Sequence, residues 1–524
     1  MDGTGNNLTN VLMGSAGVDL LRRGPVAYSD GVSSLARASG PNARDVSNAV
    51  MAQSASTPNT RNLSDMVWQW GQFIDHDLDL TPLGSETLTI STQASDPIFH
   101  GSPIQFSRSA FRGTSGTGPG NPRQQQNVIT SFLDASMVYG SSNARADALR
   151  AHSGGRLLSQ SSPTGEMLPF NTMGLPNGTA PGGDPTRAYV SGDVRTNEQT
   201  GLIAIHTLFL REHNRLADQL SASNPSWDDE RVFQTARKIV GAEIQKITYE
   251  DWLPTLLGPG RLSAYAGYNP NVDAGVSTEF STAAFRIGHT MLGSSLARVD
   301  NNGAPIAQGP LSLRTSFFDP DSLEAGGGIG PLLKGMTVQR AQEIDVQIVD
   351  DVRNFLFGPF GPPGATGFDL AALNIQRGRD HGIADYNTLR QTFGFSAALT
   401  FADISSDPAV QAALASVYAS VNDIDPWVGM LAEDHLLGGS VGPLMTAIIV
   451  DQFERTRDGD RFFYLNDPDL ADYRSFIDRI TLGDLLRFNT EMSSFQDNVF
   501  LVPAPSAILL VGALSMLAGR RRRA

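Results

Sequence analysis

Apolar residues recur at helical spacing over long stretches of this chain, separated by polar segments rich in glycine and proline. In 64–80, Val67, Trp70, Ile74 and Leu78 fall on one face of a 3.6-residue repeat. The same periodicity predicts helices over 202–220, 229–249, 280–291 and 338–355, with others near 406–421 and 442–455. No sustained apolar/polar alternation and no internal repeat breaks the pattern, so the fold class is mainly α. Long breaks at 113–126 and 152–187 are rich in Gly, Pro and Ser. The segments that carry chemistry straddle both, so they read as insertions within one large helical domain over 1–500 rather than as linkers.

Composition changes this picture only in places. With 524 residues, 40% hydrophobic and 18% charged, the chain can bury a sizeable core and is neither disordered nor a coiled coil. Lys and Arg number 39 against 54 Asp and Glu, and the resulting charge of −15 argues against nucleic acid and other acidic partners. There is no cysteine, which removes disulfides, thiolate metal sites and a thiol nucleophile, so any metal must use His or oxygen ligands.

The ends bear on location. Met1 is followed by Asp-Gly-Thr-Gly-Asn-Asn, without the charged and apolar regions of a secretory signal. At the other end Val502-Pro503-Ala504-Pro505-Ser506 precedes an apolar run over 507–518, and Arg520 to Arg523 follow. That run is short of the roughly 20 residues a membrane span needs. The arrangement over 501–524 resembles the PEP-CTERM sorting tag of bacterial envelope proteins, departing from it at Ala504, where the tag has Glu. The resemblance implies export to the cell envelope or beyond and a transient membrane or sorting partner. The alternative is a C-terminal helix docked on the body.

The most informative segment is Trp70-Gly-Gln-Phe-Ile-Asp75-His76-Asp77-Leu78-Asp79. On a helix, Gln72, Asp75 and His76 share a face beside the apolar stripe. Asp77 has Ile74 and Phe73 as its i−3 and i−4 neighbours, where a bare carboxylate is costly unless a cation compensates. Successive residues point about 100° apart, so Asp75, His76 and Asp77 cannot serve one metal. The bland alternative is a solvated acidic helix end with a capping His. A second segment, Thr130-Ser131-Phe132-Leu133-Asp134-Ala135-Ser136, sets oxygen-bearing side chains at alternate positions, which in an extended loop suits a hard cation such as Ca²⁺. A polar-edged strand entering Met137-Val138-Tyr139-Gly140 is the other reading.

Of the eight histidines, His206 and His213 lie seven apart near an apolar stripe and read as satisfied core residues, since the i, i+4 spacing of a helical zinc pair is missing. His289 has Gly288 beside it and Arg286 on the same face, leaving room for something flat with negative charge. His381 follows the dense polar run Asn374-Ile-Gln-Arg377-Gly-Arg379-Asp380, and nothing distinguishes His435.

Together these stretches resemble the animal-type haem peroxidases of the peroxidase and cyclooxygenase superfamily, the group containing myeloperoxidase, lactoperoxidase and peroxidasin, from Asp2 to about Asn498. The resemblance implies the animal haem peroxidase fold, haem b and Ca²⁺. It also implies reduction of H₂O₂ through a compound I intermediate, with oxidation of bromide, iodide, thiocyanate or phenolic donors. Gly71-Gln-Phe-Ile-Asp-His-Asp-Leu-Asp matches the family's distal motif, making His76 the distal histidine, Gln72 its neighbour and Asp77 a calcium ligand. Thr130, Phe132 by its carbonyl, Asp134 and Ser136 match the rest of the calcium set. Gly192-Asp-Val-Arg195-Thr-Asn-Glu198 matches the stretch carrying the distal arginine, Arg195, and a carboxylate that can esterify haem, Glu198; Asp75 is the second ester candidate. His289 matches the proximal iron ligand, Asn374 its hydrogen-bond acceptor, and Arg286 and Arg377 haem-propionate partners. Because the match begins inside the family's first motif, an export signal is expected upstream of Met1.

Gln199 stands where myeloperoxidase has a methionine that forms a sulfonium link, so no third covalent haem bond is expected. Two other readings are a fatty-acid dioxygenase of the same superfamily and a calcium-stabilised surface adhesion protein on a peroxidase scaffold. The dioxygenases use a tyrosine three residues before the proximal histidine, and here that residue is Arg286. Survival of Gln72, His76, Arg195, His289 and Asn374 together argues against the second.

Overall fold

The computed structural model describes residues 4–180, 182–358 and 367–503, so the C-terminal tag beyond Pro503 lies outside the described residues. The architecture is mainly α, as the periodicity predicts. Helix α1 (Ala43–Val50) starts at Asn42, whose side chain accepts from the amides of Arg44 and Asp45. Helix α2 (Met66–Leu78) carries the predicted apolar stripe, with Val67, Trp70, Ile74 and Leu78 at most 1% exposed. After it, strands β1 (Leu83–Ile90) and β2 (Ile104–Ser109) form an antiparallel hairpin with Ile90 opposite Ile104. A short helix, α3 (Ser136–Tyr139), follows. The long helices α4 (Thr200–Ser223) and α5 (Asp229–Lys246) pack against each other. Helices α6 (Ile329–Val338), α7 (Leu370–Asp380), α8 (Pro408–Val417) and α9 (Pro443–Asp458) complete the principal set.

Helix α2 is gripped from both sides. It packs on α4, and a π-helical turn, Ile247–Trp252, continues α5 and bonds to α2. There Trp252 donates to the Val67 carbonyl at 2.9 Å and fills the space beside Gly71, while Trp70 donates to Thr248 Oγ1 at 3.2 Å. The buried Arg44 of α1 joins Asp96, after β1, to Asp369, which caps α7. Its contacts are 2.8 and 2.7 Å.

The structure departs from the periodicity in two regions. The helix expected over 338–355 is absent: α6 ends at Val338, residues 339–349 are non-helical with bends at 344–346, and only Asp350–Arg353 is helical. Ile344, Val346 and Ile348 are buried at alternate positions, so a period of two decides there. Isolated bridges pair Arg340 with Ser64 and Ile348 with Ala52. Helix α6 was masked by Gly330, Pro331 and Gly335. A Cβ on Gly335 would meet the Ala297 carbonyl oxygen at 1.8 Å, so the glycine is set by close packing. The helix expected over 280–291 is divided into Thr278–Thr282 and a 3₁₀ segment, Ala284–His289, with a break at Ala283 (φ −138°, ψ −73°).

Candidate active site

The 3₁₀ segment ending in His289 packs against α2, so the residues singled out in the sequence meet around one internal cleft. Gln72, Asp75, Arg195, Glu198, Arg286, Gly288 and His289 each keep part of their surface accessible, although Phe73, Ile74, Phe285 and Ile287 beside them are buried.

On one side His76, 3% exposed, has Nε2 4.0 Å from Glu198 Oε2 and Nδ1 3.5 Å from Asp193 Oδ1. Burial, reinforced by the Arg195 charge, holds its pKa well below the usual histidine value, so the imidazole is neutral. Arg195 is anchored by Asp193. Its Nε and Nη2 each donate to that carboxylate at 2.9 Å, its amide does so at 2.8 Å, and Nη1 reaches the Asp79 carbonyl at 3.0 Å. Burial opposes both charges, yet the pairing prevails, lowering the Asp193 pKa and raising that of Arg195. Asp193 was not among the sequence candidates, although an acid two residues before the arginine was a signal.

Gln199 also does more than lack a sulfur. Its Nε2 donates to Gln72 Oε1 at 3.0 Å and Gln69 Oε1 at 2.7 Å, while its Oε1 caps α4 at the Gly201 amide, 2.6 Å away. With its oxygen so engaged, Gln72 keeps its amide N–H groups for other acceptors. Asp75 is lifted to about 7 by burial and by the neighbouring Asp79, and burial also raises Glu198.

On the other side, burial and then Arg286 push His289 down to about 3. A neutral imidazole results, and its Nε2 has no hydrogen bond among the described residues. Asn374 sets Nδ2 2.7 Å from His289 Nδ1 and accepts Arg286 Nη1 on Oδ1 at 3.0 Å. An iron ligand that donates Nδ1–H requires the amide turned the other way, an assignment fixed only by the bound metal. Arg286 Nε bonds the Ser281 carbonyl, leaving Nη2 unengaged. Arg377 is more committed, donating to Ser109 Oγ, Asp380 and the Ser107 carbonyl at 2.7–3.0 Å.

The second cluster lies at the back of α2. Asp77, fully buried, accepts from Ser136 Oγ at 2.7 Å and from the amides of Ala135 and Met137. Asp134 accepts from Thr130 Oγ1 at 3.1 Å and the Ser136 amide at 2.9 Å. The Phe132 carbonyl accepts nothing among the described residues. Burial and the nearby Asp134 charge push Asp77 well above the carboxylate range. The segment enters α3 through Ala135 at φ +61°, not as a strand. Gly192 lies hard against it: a Cβ there would stand 2.2 Å from the Ser136 carbonyl oxygen, and the Asp193 amide donates to the Met137 carbonyl at 3.0 Å.

Four of the remaining six histidines are tied into the fold, while His100 and His152 are exposed. His213 bonds the Tyr139 hydroxyl and the Gly155 carbonyl, His206 bonds Ser191, His381 bonds Ser109 and His435 bonds the Ile344 carbonyl.

Comparison with known proteins gives the family. The animal haem peroxidase family model matches residues 1–500. Peroxinectin A of Dictyostelium discoideum is 36% identical over 95% of this chain and 94% of its own length. Peroxidasin of Drosophila melanogaster is 35% identical over 89% of this chain, which spans 33% of that longer protein. Among solved structures, peroxidase A from Dictyostelium discoideum superposes with a TM-score of 0.88 at 36% identity, covering 95% of this chain and 98% of its own. The fatty acid alpha-dioxygenase of Oryza sativa shares the fold alone, with a TM-score of 0.79 at 19% identity over 96% of this chain and 86% of its own. The chain belongs to the animal haem peroxidase family.

Proposed function

We propose that this haem peroxidase reduces H₂O₂ with His76 and Arg195 as its catalytic pair and His289 as the iron ligand. The observation that carries the reading is the neutral, buried His76, whose Nδ1 stands 3.5 Å from Asp193 Oδ1 and whose Nε2 makes no hydrogen bond among the described residues. The residues fit haem: a neutral imidazole with an open Nε2, a glycine beside it, guanidinium N–H groups turned to the cleft and two carboxyls whose pKa burial raises. When bound, haem supplies the iron that takes up the peroxide and passes oxidising equivalents to the donor. His76 Nε2 takes the proton from the peroxide oxygen that stays and returns it to the oxygen that leaves. Arg195, held rigidly by Asp193, stabilises the negative charge that develops on that oxygen.

His289 holds the iron, Asn374 sets the imidazole's tautomer, and Arg286 and Arg377 answer the propionates. Asp75 and Glu198 are positioned to form esters with the haem edge. Gln72 presents its amide hydrogens to a small anionic donor such as bromide, iodide or thiocyanate. Without a sulfonium partner at Gln199, chloride is a poorer donor than bromide. Asp77, Thr130, Phe132, Asp134 and Ser136 hold one Ca²⁺, an all-oxygen set suited to a hard cation. Export is part of the proposal: envelope protein purified from its host should lack Arg520 to Arg523, and a cytoplasmic protein retaining them overturns it.

Replacing His76 by Ala tests the core of this reading. Stopped-flow mixing with H₂O₂ should show a rate about 10²–10⁴-fold lower, with the Soret band of bound haem retained. A His76→Ala protein reacting at the wild-type rate overturns the assignment.

A further inference from the structure

A cavity of about 350 Å³, away from the cleft of His76 and His289, lies between α5, the Leu133–Asp134 turn and the Asp460–Phe462 turn. That is the low end of the size range for small-molecule sites. Its walls are largely apolar, with Leu133, Ala242, Phe462 and Leu470 on them. Gly241, in the middle of α5, opens onto empty space: a Cβ there would meet nothing within 4 Å. A glycine inside a helix is less stable than alanine there.

The charged groups around the cavity are answered by partners, with one exception. Asp134 is held by Thr130 and Ser136, and Asp460 by Asn6, Gln245 and the Phe462 amide. Lys238 pairs with Asp467 and Asp469. Arg237, only 8% exposed, makes no hydrogen bond and no ion pair among the described residues. Its guanidinium carbon stands 5.2 Å from the Tyr139 ring, and the nearby Asp134 and Asp77 charges favour its cation without bonding to it. None of its nitrogens is sealed off from solvent, so its donors open onto the cavity.

We propose that this cavity binds an organic monocarboxylate, its carboxylate on Arg237 and its hydrocarbon body against the apolar walls. The guanidinium fork matches a carboxylate in two parallel hydrogen bonds. The acids at 134 and 460 disfavour a doubly charged anion such as phosphate, and the walls favour a hydrocarbon tail.

Isothermal titration of the full chain, loaded with haem and calcium, uses octanoate as the probe, with acetate and octanamide as comparisons. Octanoate should bind saturably, at least tenfold more tightly than either. Arg237→Gln should weaken it at least tenfold, with peroxidase turnover unchanged. Should that variant fold poorly, Gly241→Met decides, since it fills the cavity while leaving Arg237 in place and should abolish binding. No saturable binding of octanoate, equal binding of octanamide or acetate, or unaltered binding by Gly241→Met overturns the proposal.

Discussion

Replacing Asp193 by Asn strikes the anchor of the distal side. The carboxylate takes two guanidinium nitrogens and one amide of Arg195 at 2.8–2.9 Å, and stands 3.5 Å from His76 Nδ1. An asparagine keeps one acceptor and turns a nitrogen toward the other position, leaving the Arg195 charge unanswered in a site where burial already opposes it. Breaking a buried pair costs about 3–5 kcal/mol. The retained acceptor and the Asp79 carbonyl, 3.0 Å from Nη1, place the loss near 3 kcal/mol on that scale. Urea denaturation of the haem-loaded protein reads it directly. The chemical step suffers separately, because Arg195 is no longer held where charge develops, and losing one such fixed donor costs about 10²–10³ in rate. The pH dependence identifies the cause. Asp193 raises the His76 pKa, so its removal lowers that value further and the base stays unprotonated. The variant should therefore react slowly with H₂O₂ at every pH across about 4 to 8, with no new acid limb. A rate within threefold of wild type at neutral pH would refute the reasoning, as would a loss confined to acid.

Removing calcium with a strong chelator should lower the melting temperature and the activity together, since Asp77 and Asp134 are left facing each other; active enzyme without calcium by metal analysis contradicts this. Asp65, with neither oxygen in a well-aligned hydrogen bond, is lifted by burial to about 7. Its folded pKa lies above its unfolded value of 3.8, so its contribution to stability is full below pH 3.8 and fades as pH rises through about 7. Wild type should lose about 1.4 kcal/mol per pH unit to this group over that window, and Asp65→Asn should not; a pH-independent difference in denaturation midpoints sinks the claim. Peroxide-treated wild type should keep its haem through acid acetone extraction, whereas a double Asp75→Val, Glu198→Gln variant should release it; freely extracted haem in wild type removes the ester assignment.

How much of this was legible in the sequence depended on which spacing was unambiguous. The stripe of Val67, Trp70, Ile74 and Leu78 admits only a helix, and α2 follows it. Over 338–355 the apolar residues satisfy helical spacing as well as alternation, and only packing against residues 52–64 decides. Helix α6 was hidden because its glycines and proline serve close packing rather than turns. At the site, Asp77 drew attention as a charge in the wrong company, whereas Asp193 passed unremarked and Gln199 stood out only for the sulfur it lacks. Asp193 holds Arg195 over two residues, a local signal, but its approach to His76 and the bond of Gln199 to Gln72 are contacts across the fold that no local spacing encodes.

The missing side chain at Gly192 sets an order of assembly. Residues 191–195 cannot seat until the turn at 135–140 has taken its final form, because their backbones touch with no side chain between them. That turn bears Ser136 and adjoins Asp134, so on the proposed calcium site it would mature when the cation arrives. Haem offered to a chain made without calcium would meet a pocket whose arginine is not yet in place. Metal supply, rather than haem supply, would then limit how much active enzyme a cell obtains, and restoring calcium before haem should recover more activity than the reverse order.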